Sequence, residues 1–201
     1  MGDGAHAAEV EDYSPQVTVL FNAVPTRFHR AGRARLIDID RPSEVLRGTP
    51  VVAAVGAPGL KRDLVSQWSG VEYATIRSSE SWVSSSALVG EGSVIAPLAG
   101  VSARTVIGRH VLINISATIS HDCVIGDYVT VSPGAHIAGN VRIGDGVFIG
   151  IGAVISTGVS IADGAIIAAG AVLVRDAAQR GTYVGVPARL TRTNESWASV
   201  I

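Results

Sequence analysis

From Val83 to Leu173 every sixth residue is aliphatic, sixteen in succession without an insertion: Val83, Val89, Ile95, Val101, Ile107, Ile113, Ile119, Ile125, Val131, Ile137, Ile143, Ile149, Ile155, Ile161, Ile167 and Leu173. Four residues after each stands a small or medium side chain, from Ala87 through Thr105, Ala117, Cys123 and Val141 to Ala171. A helix repeats its apolar face near 3.6 residues and a half-buried strand every 2, so a period of six is neither. Hexad repetition is the mark of a parallel β-helix, with three hexads to each triangular coil. Residues 83–172 then build about five coils whose strands stack roughly 4.8 Å apart. The aliphatic series fills the prism and the small series fits its corners, which makes Cys123 a packed residue rather than a nucleophile.

Composition agrees with a thin, repetitive core. Hydrophobic residues reach 47% while aromatics supply only 5%, and there are 23 glycines. Sixteen Lys and Arg against seventeen Asp and Glu leave a net charge of −1. Such a balance offers no electrostatic basis for binding nucleic acid or an anionic membrane. One cysteine excludes an intrachain disulfide framework and fits a reducing compartment. No run of about 18 apolar residues predicts a membrane span, and Met1–Glu9 lacks the features of a leader, so the expected location is cytoplasmic.

The last position of each hexad should look outward, yet it holds Leu88, Val94, Val106, Leu112, Val124, Phe148, Val154, Ile166 and Val172. That much apolar surface calls for a cover. A closed cyclic oligomer, expected to be a trimer, is one solution; cover by the N-terminal region is the other.

Residues 1–78 have a different texture and are expected to form a separate small α/β domain, with residues 79–201 as the β-helix and a closing segment. Gln16–Ala23, Val51–Gly56 and Glu72–Arg77 read as strands, and Ala5–Tyr13 and Gly59–Gln67 as helices. Two glycine turns that open helices, Gly2–His6 and Gly56–Gly59, are places where backbone N–H groups can hold phosphate.

Of the five histidines (His6, His29, His110, His121 and His136), His121 has the most suggestive setting. It takes the third position of its hexad, an outward corner, and Asp122 follows it. A carboxylate on the ring nitrogen fixes the tautomer and strengthens a general base. One coil on, the same column holds Gly139, whose bare N–H could support an oxyanion. No metal is expected, because Ala103 and Gly139 flank His121 in its column and no second imidazole stands one coil away.

Residues 83–190 resemble the hexapeptide-repeat acyltransferases. More narrowly, Ile119–Asp127, Gly139–Gly144, Phe148–Ala153 and Val184–Arg189 are similar to the sialic-acid O-acetyltransferase and bacterial amino-sugar N-acetyltransferase family. The resemblance implies a left-handed β-helix, a homotrimer, acetyl-CoA as co-substrate and direct transfer without an acyl-enzyme. It makes His121 the base, Asp122 its helper and Gly139 the carbonyl-polarising donor. It puts coenzyme contacts at Thr130, Ile151 and Ala169, where some members carry a second histidine in place of Thr130. Arg175 and Arg189 are candidates for coenzyme phosphates or simply charged surface. The N-terminal domain resembles the family's Rossmann-like sugar-nucleotide domain, implying contacts from Gly4, Ala5, His6, Asn22, Gly56 and Ala57. Its leading strand is missing before the turn, or the true start lies upstream. The implied reaction is acetylation of an amino group or hydroxyl on a sugar, expected to be nucleotide-linked. A small non-nucleotide acceptor and a non-catalytic trimeric scaffold are the alternatives.

Overall fold

The computed structural model describes residues 5–13, 22–24, 36–38, 48–68 and 72–199. Its body is a left-handed parallel β-helix. Two-residue strands recur every six residues, so each coil of three strands advances the chain by 18 positions, and like strands stack in register: Thr118 pairs with His136, Val124 with Arg142 and Thr130 with Phe148. The first face begins at Ile76–Arg77 and adds Val94–Ile95, Leu112–Ile113, Thr130–Val131, Phe148–Ile149 and Ile166–Ile167. The second runs in six strands from Trp82–Val83 to Val172–Leu173, and the third in five from Leu88–Val89 to Ser160–Ile161. The prism therefore starts one strand before the aliphatic series and reaches six rungs on two faces, slightly beyond the five coils expected. On the first face, Gly181–Gly185 pairs parallel with Ile166–Ile167, and Ala188–Thr193 folds back antiparallel on it to close the end.

The aliphatic series is the core: from Ile95 to Leu173 each member is at most 4% exposed. Each fully buried Ile or Val contributes roughly 1.5–3 kcal/mol relative to exposure. The small series lies between these residues at the corners, with Cys123 fully buried. Its Sγ points inward, 3.2 Å from the Ala138 carbonyl, and burial pushes the thiol pKa up.

Corners are tight because from Gly92 to Gly170 one residue in each turn takes a left-handed conformation. Arg104, His110, Asp122, Tyr128 and Asn140 all have φ between 56° and 61°, and glycine takes the same place in later turns. Non-glycine residues accept that region at a cost. The stacking of turn on turn repeats the geometry and holds it.

Among the described residues the N-terminal part holds helix α1 (Ala5–Asp12) and helix α2 (Pro58–Gln67). Asn22–Val24 pairs parallel with Leu36–Asp38. The rest of the strand expected over Gln16–Ala23 lies outside the described residues. In the strand expected at Val51–Gly56, Val51 forms a parallel bridge to Tyr73 among the described residues. Its partner leaves after that one pairing to enter the first face at Ile76. Helix α1 covers Val94 and Leu112 through Ala7, Val10 and Tyr13, so two of the outward hexad positions are buried within the chain. Leu88, Val106, Val124 and Val154 stay exposed. No helix among the described residues is long and apolar enough to cross a membrane.

Candidate active site

His121 sits on the edge between the second and third faces, between strands Thr118–Ile119 and Val124–Ile125. Its side chain points outward, with 52% of its area exposed. Nδ1 lies 2.7 Å from Asp122 Oδ2. A carboxylate only accepts, so Nδ1 donates, and in the neutral ring the lone pair is then on Nε2. The ring also lies against Gly139 in the next coil. A Cβ on Gly139 would stand 2.7 Å from Cε1 and 2.9 Å from Nε2 of the imidazole. Glycine is thus required there by the close approach of the ring itself, a role additional to the amide donor expected.

That amide has its own character. The Gly139 carbonyl accepts from Thr157 Oγ1 at 2.7 Å and from the Gly158 N–H at 3.0 Å. No described residue accepts from the Gly139 N–H. At the edge between the third and first faces the pattern differs. There Asp127, Asp145 and Asp163 accept the N–H groups of Arg109, Asp127 and Asp145 at 2.7–2.9 Å. The His121 edge leaves its glycine donor unspent.

A third member of the cluster is Arg104, one coil before Asp122 in the same column. Its Nε donates to Asp122 Oδ1 at 2.6 Å and its terminal nitrogen to Oδ2 at 2.8 Å. The guanidinium first, and then the His121 ring, hold the Asp122 carboxyl down at about 2. Asp122 is an anion at any working pH. Arg104 is not among the site residues expected from the sequence; the signal that finds it is the 18-residue step back from Asp122.

Ile151 and Ala169 are exposed and stacked in one column, with the Gly170 N–H donating to the Ile151 carbonyl at 2.8 Å. They occupy the edge between the first and second faces, so one whole face separates them from His121. Thr130 does not join them. It is 2% exposed on the first face, where its hydroxyl donates to the Gly56 carbonyl at 2.7 Å and accepts from Lys61 at 3.0 Å. Arg175 and Arg189 are exposed.

The Gly56–Gly59 turn packs down on the prism. Ala57 is buried at the start of α2, and the Gly59 amide is committed to the Ala198 carbonyl at 2.7 Å. Gly4 lies outside the described residues, as do the side chains of Ala5, His6 and Asn22; the backbone sets Ala5 and His6 in helix α1 and Asn22 in the parallel pair. Beneath α2 the Lys61 amine is 1% exposed and donates to the carbonyls of His110 (3.0 Å) and Val129 (3.3 Å) and to Thr130. Burial pushes its pKa down to about 7. His110 stacks on Tyr128 and meets Tyr73 edge-on, and burial pushes it down to about 4. Trp197 lies over the same column, tilted on Tyr128 and capped by Arg62 at 4.6 Å. Among the described residues no three His, Cys, Asp or Glu side chains gather to hold a metal ion.

A hexad prism with an outward histidine–aspartate pair on one edge is similar to the hexapeptide-repeat acyltransferases. The bacterial transferase hexapeptide family (six repeats) matches residues 104–139 and 140–175. Among solved structures the chain is similar to the acetyltransferase domain of PglB from Neisseria gonorrhoeae FA1090, in complex with acetyl coenzyme A. Identity is 29% over 94% of this chain and 96% of that one, with a TM-score of 0.80. PerB from Caulobacter crescentus, in complex with CoA and GDP-perosamine, is 27% identical over 94% of each chain, with a TM-score of 0.82. WeeI from Acinetobacter baumannii AYE is 28% identical over 92% of each, with a TM-score of 0.77. A search of the curated proteins gave no match.

Proposed function

We propose that the chain transfers the acetyl group of acetyl-CoA to the amino group of a nucleotide-linked sugar, with His121 as general base. The observation that carries this is the exposed imidazole, fixed through Nδ1 by Asp122 and laid on Gly139 with Nε2 facing the edge's open side free of any protein partner among the described residues. The acceptor nitrogen attacks the thioester carbon as its proton passes to Nε2. The Gly139 N–H stabilises the resulting oxyanion. Collapse breaks the carbon–sulfur bond, and the imidazolium returns the proton to the departing thiolate. No bond to the enzyme forms. Acceptance of an amine on a nucleotide-linked sugar is supported by the similarity to PerB, solved with GDP-perosamine.

The site takes more than one copy of the chain. His121 and the Ile151–Ala169 column stand on different edges of one prism. The third face beside His121 carries an exposed stripe of Leu88, Val106 and Val124. A homotrimer buries that stripe and sets His121 of one copy beside the Ile151–Ala169 column of the next, where an extended pantetheine chain tracks the stacked residues. The N-terminal α/β part, from the Gly4–His6 turn through Asn22 to Gly56 and Ala57, serves the nucleotide.

The test is an acceptor screen. The protein is incubated with acetyl-CoA and a panel of nucleotide-linked amino sugars that includes GDP-perosamine, with free sugars and small amines alongside, and products are read by mass spectrometry. The proposal expects one nucleotide-linked amino sugar to gain an acetyl group. Acetylation confined to acceptors without a nucleotide overturns the substrate class.

A further inference from the structure

The Arg104–Asp122 contact does more than join two exposed charges. Asp122 stands on a corner in left-handed conformation with about a third of its side chain open to water. A lone carboxylate there rotates, and a histidine bonded to it rotates with it. The guanidinium instead meets both oxygens from the coil below, Nε to Oδ1 at 2.6 Å and the terminal nitrogen to Oδ2 at 2.8 Å. A planar fork on a planar carboxylate fixes the plane as well as the distance. Arg104 is itself braced, its backbone N–H donating to Ser86 Oγ at 3.1 Å. Of the two oxygens it grips, Oδ2 also accepts from His121 Nδ1.

We propose that Arg104 is the positioning residue of the His121–Asp122 pair: it locks the carboxylate plane and thereby the imidazole, sharing Oδ2 with the ring. This rests on reading His121 as the base. The charged groups acting on Asp122 are Arg104 and His121. From its own coil the Cys123 thiol turns inward, and from the coil above Gly139 and Asn140 bring no charge. The cation and the imidazolium compete for one oxygen. Removing the cation therefore favours the imidazolium and raises the histidine midpoint. An exposed ion pair adds little to stability, so the effect is sought in orientation and titration.

The test combines kinetics with NMR titration of the His121 ring in the intact protein, for wild type, Arg104→Gln, Arg104→Lys and His121→Ala. Arg104→Gln is expected to lower kcat on the order of tenfold through loss of orientation, with both KM values kept. Its His121 midpoint rises by roughly half a pH unit. Arg104→Lys keeps the charge and loses the fork, so its midpoint stays near wild type while kcat falls. An unchanged midpoint and unchanged kcat in Arg104→Gln overturn the proposal. Full activity in His121→Ala overturns the base assignment instead, and a raised midpoint in Arg104→Gln still reports the shared oxygen in that case.

Discussion

Replacing Gly139 by alanine separates the site from the scaffold. The new methyl would stand 2.7 Å from His121 Cε1, 2.9 Å from Nε2 and 3.2 Å from Nδ1. Carbon atoms rest near 3.5 Å, so the ring must retreat by about 0.8 Å. Half of that side chain is exposed, so it can swing into solvent at little cost. Gly139 does not take one of the left-handed turn positions, so alanine adds no backbone strain. The swing breaks the 2.7 Å bond to Asp122 and carries Nε2 away from the edge. A displacement near 1 Å at the reacting groups costs about 10²-fold in rate. The expected variant melts within about 2 °C of wild type, its exposed site leaving ΔG changed by only a few tenths of a kcal/mol, while kcat falls on the order of 100-fold. Steady-state release of free CoA thiol and a thermal melt on the same sample are sufficient. Wild-type kcat in a folded variant would refute the stacked pose of the ring, and with it the geometric part of the site.

Other expectations follow from the packing around α2 and along the third face. The folded pKa of Lys61 near 7 lies below its ordinary 10.5, so between these values the unfolded chain holds the extra proton. Unfolding free energy then rises with pH across that window, by up to ~1.4 kcal/mol per unit. Lys61→Met should flatten the slope in urea melts taken from about pH 7 to 10, and an unaltered slope contradicts the buried amine. Trp197 covers Gly146 and Gly164 and its neighbours Ala198 and Ser199 abut Gly59 of α2; Trp197→Ala should cost about 1–3 kcal/mol in a denaturant melt, and no loss contradicts a tail that holds α2 down. Leu88→Glu with Val106→Glu should convert a trimer into monomers by light scattering and abolish turnover. A variant that keeps its mass contradicts assembly on the third face.

The prism was legible in the hexads because its repeat is local. One coil predicts the next, and Ile95 through Leu173 face inward as the period requires. The outward setting of His121 and Asp122 and the inward one of Cys123 were legible for the same reason, since hexad position decides outward from inward. What eluded the period came from contacts across long stretches of chain. Val94 and Leu112 occupy outward positions and are buried because α1 docks on them, which no hexad encodes. Lys61 sits in Pro58–Gln67, a polar helix that reads as solvated, and only the docking of α2 on Thr130 shows its amine to be interior. Arg104 is an intermediate case. It was within reach of an 18-residue step, but arginine at an exposed corner carries no mark until its carboxylate partner is seen. The Val51–Gly56 run has the apolar continuity of a strand, and its Val51 bridges Tyr73.

The most direct measurement is the single-turnover rate of acetyl transfer from acetyl-CoA to a nucleotide-linked amino sugar by wild type and His121→Ala at saturating substrates. With His121 as base, the variant binds acetyl-CoA as wild type does and transfers its acetyl group on the order of 10²–10⁴-fold more slowly. A variant that binds and transfers at the wild-type rate contradicts the account.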